Sequence, residues 1–353
     1  MNKLTKVGCS ALCGSLAAIT AANAGDLAVT GGIHVTYMSD GNTTGNPIGM
    51  ASAVTFSGTG ELDNGWTYGL YTDFLDQDAY SATRVNITMG GLGTIEFDQG
   101  NSGNGIAAYD NVMPTAWEEA HGAGLSGGVK TVLGVGASDN IQYASPTFLG
   151  TSFAITHSRD VGSADTNDKT TGTGTLTLAR GTDVTLKINP SMGTEILSGL
   201  NLYAGGSIIE RYDNQGGDED KLEAVGAVTY ALGPIEVGVM WSGMYDGDET
   251  TDSDFHSYKN HGFGVAFNVN DDLSVSYGEY QSLKAGYAHG GQDNVSGRTI
   301  EDEDQRLVTV ESWQAAYTMG GASFRIADVK ADNAHFSGAN DQTATIISMG
   351  LAF

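Results

Sequence analysis

Carboxylates are the side chains of this chain with the clearest capacity for chemistry. The sequence holds 42 Asp and Glu residues against 16 Lys and Arg, a formal net charge of −26. Asp110, Glu118 and Glu119 lie close together within the long segment 100–138. Clustered carboxylates attract cations, and sets of oxygen ligands suit Ca²⁺ or Mg²⁺. The same acidity argues against nucleic acid as a partner, because nucleic acid binds to basic surface.

A second group of acids lies in connections farther along the chain, and its weak metal candidates are Asp246, Asp248, Asp252 and Asp254. Their spacing is not that of an EF-hand loop, since no Glu stands at the closing position. Two interpretations stay open for such clusters: a Ca²⁺ or Mg²⁺ site in an exposed loop, or solvated charge without a ligand. No other cofactor is expected.

The residues needed for enzyme chemistry are sparse. Residues 1–24 have a positive start, an apolar stretch and a small-x-small site ending at Ala24, which predicts a cleaved signal peptide. Cys9 and Cys13 both fall inside it, so the remaining single domain, 25–353, has no thiol. The histidines show no ligand-like pairing, and no Gly-x-Ser-x-Gly elbow occurs in a strand-to-helix context. We therefore predict that the protein is not an enzyme.

The elements that position these residues have a two-residue period. From Thr345 to Phe353 large side chains alternate with small ones, and segments of similar pattern recur at 27–38 and 235–242. A strand with lipid on one side and water on the other has this pattern. No apolar run outside the leader reaches the roughly 20 residues of a helical span. The pattern predicts an all-β, transmembrane antiparallel β-barrel.

The connections between these segments alternate between short and long. Short turns are predicted at 63–65, 90–91, 145–147, 233–234, 270–272 and 320–321, and long loops at 39–49, 75–81, 100–138, 211–220, 246–257, 284–304 and 332–341. We expect about 16 strands, with 173–189 counted as one strand because bacterial barrels have even numbers. A soluble sandwich also alternates, but polar faces rich in Gly, Ser, Thr and Asn favour the membrane barrel.

The order of these features resembles the general porins of the Gram-negative outer membrane. The residues that carry the resemblance are GDLAVTGGIHVTY after the leader, GGLGTIEFDQG before the long segment, DNIQYASPTFLGTSFAITHSRD after it, and Phe353. The resemblance implies a 16-stranded homotrimer that crosses the outer membrane many times, surrounded by lipid and lipopolysaccharide. It also implies that the last strand and Phe353 form the signal recognised by the barrel-assembly machinery.

In that family the third long loop folds into the lumen and narrows it, which would make residues 100–138 the constriction loop. The resemblance then implies a constriction of opposed acids and bases formed by Asp110, Glu118, Glu119, Glu96, Asp98, Arg84, Arg325 and His34. Many general porins have Gly-Arg at the end of the fifth strand, where this chain has Asp98-Gln99. The basic wall would be thinner here, which favours cations.

The expected function is passive diffusion of small hydrophilic solutes and ions through a water-filled channel. A solute-selective porin is an alternative, in which Tyr71, Tyr203 and Tyr280 would point into the lumen. A non-conducting barrel that serves as an adhesin is another. The number of strands argues against it, because about 16 strands leave an aqueous channel.

Overall fold

The chain closes into a single antiparallel barrel. The computed structural model describes residues 24–40, 45–76, 81–99, 103–162, 169, 178–190, 195–211, 220–246, 257–285, 306–338 and 340–352. Within these residues one closed sheet of 16 strands confirms the expected fold class. The strands are β1 Ala24–Asp40, β2 Ile48–Glu61, β3 Thr67–Leu75, β4 Ala82–Thr88, β5 Thr94–Gln99, β6 Asp139–Ala144, β7 Thr151–Ser158, β8 Leu178–Ile188, β9 Leu200–Arg211, β10 Lys221–Leu232, β11 Ile235–Tyr245, β12 Ser257–Asn268, β13 Leu273–Ala285, β14 Arg306–Met319, β15 Ala322–Asp332 and β16 Gln342–Ala352.

Closure joins the first strand to the last. Ile33 of β1 pairs with Leu351 of β16, and every other strand pairs with its neighbours in the chain. A closed barrel therefore leaves no strand edge with unpaired backbone groups. The described part of the doubtful region 173–189, which begins at residue 178, contains one strand, β8, and the closed sheet has the even number of strands that was predicted.

The two faces of the strands follow the alternation of the sequence. In β16, Ala344 and Ile346 are buried inside the barrel, whereas Ile347 and Leu351 are about half exposed on its outer surface. Trp313 of β14 also faces outward and is 66% exposed. Successive side chains of a strand point to opposite faces, so an outer apolar surface follows from the sequence pattern. None of the described helices is long and apolar enough to cross a membrane.

Short and long connections lie at opposite ends of the strands. Gly233–Pro234 joins β10 to β11, and Gly320–Gly321 joins β14 to β15. Gly233 and Gly320 both have φ of 59°, the left-handed value that a two-residue hairpin turn needs at its first position. At the other end, residues 103–138 follow β5 and form what we call the lumen loop. This loop does not extend away from the barrel but packs against its inner wall.

The apolar core lies inside the barrel, between the lumen loop and the wall. One cluster joins Ala120, Ala123 and Leu125 of the loop to the inner faces of β14–β16, including Val308, Val310, Val329 and Ile346. A second cluster joins Ile106, Tyr109, Met113 and Val132 to Val225, Ala227, Met240 and Tyr280 on β10, β11 and β13. The inner face of these strands is thus apolar where the loop covers it, unlike the uniformly small or polar inner face that the alternation predicted.

Candidate functional site: the lumen loop and its walls

Glycines in the wall let the lumen loop approach the strands closely. A Cβ added at Gly264 of β12 would lie 2.5 Å from the Pro114 carbonyl oxygen, and one at Gly238 of β11 would lie 2.5 Å from Pro114 Cδ. Real Cβ contacts are never this short, so any larger residue would displace the loop. Gly238 and Gly264 form a shallow groove on the inner surface of the wall, and Met113 and Pro114 pack into it.

Two carboxylates of the wall hold the ends of the loop. Asp183 of β8 accepts hydrogen bonds from the backbone N–H of Ile106 (2.9 Å) and of Val135 (3.2 Å). Glu223 of β10 accepts from the backbone N–H of Leu133 and of Gly134, both at 2.8 Å. Both carboxylates are buried. Hydrogen bonds from N–H groups to ionised acceptors are stronger than neutral ones, so these four bonds fasten the loop to the wall.

Gln314 of β14 holds the tip of the loop. Its Oε1 accepts from the backbone N–H of Trp117 (3.1 Å) and of Glu118 (3.0 Å), while its Nε2 donates to the Glu118 carbonyl oxygen at 2.7 Å. Ser276 of β13 accepts from the Ala116 N–H at 2.9 Å. The backbone N–H and C=O of Glu118 both bond to the Gln314 side-chain amide, so the backbone of this residue is held in place. Its side chain is exposed to the lumen.

Burial against the barrel wall changes the pKa values of the loop acids. It raises the pKa of Asp110 to about 6 and that of Glu119 to about 7, and for Glu119 the charges of Glu118 and Asp110 add to the rise. Partial desolvation also raises the pKa of Glu118, although Arg325 and His34 act against this rise. The neighbouring His121 is held neutral, since burial lowers its pKa to about 4. Asp110, Glu118 and Glu119 therefore form one electrostatically coupled group.

The predicted bases divide into two sets. Arg325 of β15 and His34 of β1 lie together on the inner wall, with Arg325 Nη1 3.3 Å from His34 Nδ1. Arg325 also lies 5.8 Å from the centre of the Trp117 ring, close to the tip of the loop. Both groups act electrostatically on Glu118, which follows Trp117 at the tip of the loop.

Arg84 lies on the wall beside an acid of the neighbouring strand. Its position on β4 pairs in register with Asp98 of β5, and its guanidinium lies 4.7 Å from the centre of the Tyr71 ring. Glu96 points to the same inner face of β5 and is half-buried. Arg84 and Asp98 are therefore neighbours on one wall, because strand pairing places them side by side.

Inward-facing tyrosines do not form a ladder along the lumen. Tyr280 is 1% exposed and packs against His121 of the loop at 4.5 Å between ring centres. Tyr203 packs edge-on against Tyr109 at 5.1 Å. Both rings therefore serve to hold the loop, which weakens the solute ladder considered for Tyr71, Tyr203 and Tyr280.

Several expectations fall outside the described residues. These are the signal peptide up to residue 23, the assembly signal Phe353, and the metal candidates Asp248, Asp252 and Asp254. Asp246 is described, and its carboxylate pairs with the Arg211 guanidinium. Among the described residues, no group of three or more His, Cys, Asp or Glu side chains has the arrangement of a metal site. A divalent cation in the acidic loops stays a prediction.

The anchors Asp183, Glu223 and Gln314 were not singled out from the sequence. Each is an inward-facing polar residue in a strand, and Asp183 and Glu223 are acids where the neighbouring inward positions are mostly small or apolar. This contrast in residue type is the feature of the sequence that could have identified Asp183 and Glu223 as anchors. The loop backbone groups that they bind lie 48 to 197 residues away in the chain, so the contacts themselves carry no local pattern.

Comparisons with known proteins agree with this geometry. A family model described as Gram-negative porin matches residues 8–300. OmpT of Vibrio cholerae has a TM-score of 0.62 at 10% identity, over 94% of this chain and 98% of that chain. The anion-selective porin from Comamonas acidovorans has a TM-score of 0.61 at 13% identity, over 93% of this chain and 99% of that chain. OmpF of Salmonella typhi, in complex with daunomycin, has a TM-score of 0.61 at 12% identity, over 94% of this chain and 98% of that chain. At these identities the likeness concerns the fold alone. No curated protein sequence matches.

Proposed function

Because this chain belongs to the Gram-negative porin family, we propose that it is a cation-preferring channel of the outer membrane. Small hydrophilic solutes and ions diffuse passively through its lumen. The observation that carries the cation preference is the coupled group Asp110, Glu118 and Glu119 on a loop packed inside the barrel. Carboxylates in a narrow passage raise the local concentration of cations. Family and fold point to a channel rather than an enzyme.

The solved structures of this fold include a protein described as an anion-selective porin. The fold therefore does not set the sign of the selectivity, which depends on the charges that line the narrowest part. In this chain, the loop carries three acids, and Arg325 and His34 act electrostatically on one of them, Glu118. The excess of negative charge at this point supports a preference for cations.

The reversal potential of the purified protein in a planar bilayer tests the proposal directly. With a salt gradient across the membrane, we expect stepwise conductance and a potential of the sign that cation permeation produces. A potential of the opposite sign would keep the channel and refute the cation preference. Absence of conductance from a folded, inserted barrel would refute the channel itself.

Cation preference should depend on pH between about 8 and 5. The pKa of Asp110 is raised to about 6 and that of Glu119 to about 7, so both carboxylates are charged above this window and neutral below it. The preference should therefore be full at high pH and decline as pH falls through 7 and then 6. Reversal potentials at constant salt measure this decline.

Two variants test whether Asp110 and Glu119 cause this pH dependence of the cation preference. In the Asp110→Asn/Glu119→Gln double variant, the cation preference should no longer decline between pH 7 and 6. The His34→Gln variant should keep it, which matters because histidine side chains in general gain charge in this range. If His34→Gln removed the decline and the double variant kept it, the loop acids would not be responsible.

The outer face of β1–β5 supports assembly into a homotrimer. Its described outward positions carry no charged side chain and include Phe56, Leu70 and Phe97, all more than 40% exposed. By contrast, Glu279, Glu311 and Lys330 face outward on β13–β15. Of the solved structures, one of OmpT from Vibrio cholerae is described as a trimer form. Light scattering of the protein in detergent should give the mass of three chains, and a stable single chain would contradict the proposal.

A further inference from the structure

The connection between β15 and β16 packs onto the lumen loop at the end of the barrel that carries the long loops. Its described residues 333–338, which we call the clasp, directly follow β15. The backbone N–H of His335 donates to the carbonyl oxygen of Gly127 in the lumen loop at 2.6 Å. Ala334 is fully buried, in the same apolar cluster as Leu125 of the lumen loop. The clasp therefore holds the lumen loop by a hydrogen bond and by apolar packing.

The backbone of the clasp is strained. Asn333, His335 and Phe336 have φ of 54°, 57° and 60°, all in the left-handed region. They are three of the six non-glycine residues with positive φ in the part of the chain that the structure describes. Asparagine and histidine enter this region more often than other residues, but a bulky phenylalanine is a true outlier there. Three such residues within four positions make the conformation of the clasp locally unfavourable.

Contacts within the clasp and with its neighbours compensate for this strain. The Ala334 N–H donates to the Asn340 carbonyl oxygen at 2.7 Å, and the Asn340 side chain donates to the Ala334 carbonyl oxygen at 3.2 Å. The Phe336 ring packs against the Tyr258 ring of β12, with 5.4 Å between the ring centres. Strained backbone persists only where the surrounding structure outweighs its cost. The observed conformation is thus a balance between these contacts and an unfavourable backbone.

Two glycines of the lumen loop let the clasp approach closely. A Cβ added at Gly128 would lie 2.8 Å from His335 Nδ1 and 3.2 Å from His335 Cα. One added at Gly127 would lie 2.8 Å from Val310 Cγ2 and 3.2 Å from Ala331 Cβ, on β14 and β15. The lumen loop therefore lies between the barrel wall and the clasp at this point. If the clasp moved away, the wall alone would hold this part of the loop.

From this balance we propose that the clasp is a releasable element with a closed and an open state. The closed state is the one described above. In the open state, residues 333–338 lift from the lumen loop, and the left-handed residues relax to ordinary backbone conformations. The barrel stays closed, because the pairing of β15 with β16 ends at Ala331 and Gln342, outside the clasp. Opening removes the hydrogen bond to Gly127 and loosens the hold on the lumen loop.

Labelling of a cysteine at position 334 measures this opening in the purified protein in detergent. In Ala334→Cys the thiol is buried while the clasp is closed, and a water-soluble maleimide reaches it only in the open state. The sequence has only Cys9 and Cys13 besides, both in the predicted signal peptide, and the unsubstituted protein gives their background. Ala344→Cys is the comparison, since Ala344 is 3% exposed in the same cluster but lies in β16.

The two cysteine variants should react at different rates. Local opening is more frequent than global unfolding, so we expect Ala334→Cys to react about tenfold faster than Ala344→Cys or more. Equal rates would refute an open state of the clasp. The labelling does not depend on ion permeation, so this result is separate from the test of the proposed channel.

Substitutions at His335 test whether backbone strain drives the opening. Its side chain is exposed, so changes there affect the backbone preference more than the packing. Glycine accepts a left-handed φ without cost, whereas β-branched valine resists it. With Ala334→Cys present, His335→Gly should slow the labelling about fivefold and His335→Val should accelerate it about fivefold. Unchanged rates in both variants would refute the role of strain.

Ser337 provides the matched control within the clasp. It is also exposed, but its φ of −110° and ψ of 116° are extended values that valine readily adopts. Ser337→Val should therefore label no faster than Ser337→Gly. If valine accelerated and glycine slowed the labelling here as at position 335, side-chain size and not the left-handed backbone would control the clasp.

Single-channel recording tests the link between the clasp and the lumen loop. His335→Val should spend about fivefold more time than His335→Gly at a second conductance level, relative to the main level, because its loop is released more often. A single level in His335→Val, despite rapid labelling at position 334, would refute the coupling of the clasp to the loop.

Discussion

Conversion of Asp110, Glu118 and Glu119 to their amides should remove most of the cation preference of this channel. A carboxylate about 5 Å from a passing ion contributes about 0.8 kcal/mol in water, which changes the local cation concentration about fourfold. With three such groups and partial screening at about 0.1 M salt, we expect the ratio of cation to anion permeability to fall about tenfold. The reversal potential in a salt gradient measures this ratio.

A control with the same change in net charge distinguishes local from global effects. Glu279, Glu311 and Asp328 face outward on β13–β15, on the far side of the wall from the lumen. The triple variant Glu279→Gln/Glu311→Gln/Asp328→Asn should leave the permeability ratio close to its original value. If both triple variants shifted the reversal potential equally, the overall charge of the protein would explain the selectivity and the loop acids would not.

Removal of the anchors Asp183 and Glu223 should release the lumen loop from the wall. The Asp183→Ala/Glu223→Ala variant loses four hydrogen bonds from loop N–H groups to carboxylates, each contributing about 1.5–3 kcal/mol. We expect conductance to rise about twofold or more, because a barrel of this strand number without a fixed loop leaves an aqueous channel open. The size limit for neutral sugars in a liposome-swelling assay should rise as well.

The isosteric variant Asp183→Asn/Glu223→Gln provides the comparison, because amide oxygens can still accept the same N–H groups. It should conduct much more like the original protein than the alanine variant does. Should the alanine variant fail to fold, Gly264→Val tests the same point from another contact, since its Cβ would displace Pro114. Gly226→Val, whose Cβ would have no neighbour nearer than 3.8 Å, is its control. An unchanged size limit in both test variants would show that the loop does not restrict the lumen.

Strand pattern and strand number were predictable from the sequence because they depend on neighbouring residues. The alternation in β16 directs Ile347 and Leu351 outward and Ala344 inward, which the structure confirms. The turns at Gly233–Pro234 and Gly320–Gly321 were also identifiable from residue type. Side-chain direction in a strand reverses at each residue, so local sequence suffices for this level of the fold.

The inner face of the barrel was predicted less well. The alternation predicted a small or polar inner face, yet Val308, Val310 and Val329 lie on that face and are at most 1% exposed beneath Ala120, Ala123 and Leu125. The segment RLVTVESW is apolar on both faces over part of its length. Such a pattern is typical of a strand covered on both sides, and it was the available sign that the loop packs at this wall.

The sequence by itself determined a barrel with an apolar outer surface, its connections and the residues that could carry charge into the lumen. Only the tertiary structure decided which charges meet. It placed Arg84 beside Asp98, brought Arg325 and His34 opposite Glu118, and assigned Asp183 and Glu223 to the loop backbone. The physical reason is that alternation sets the face of each residue locally, whereas strand register and loop docking depend on contacts between residues distant in the chain.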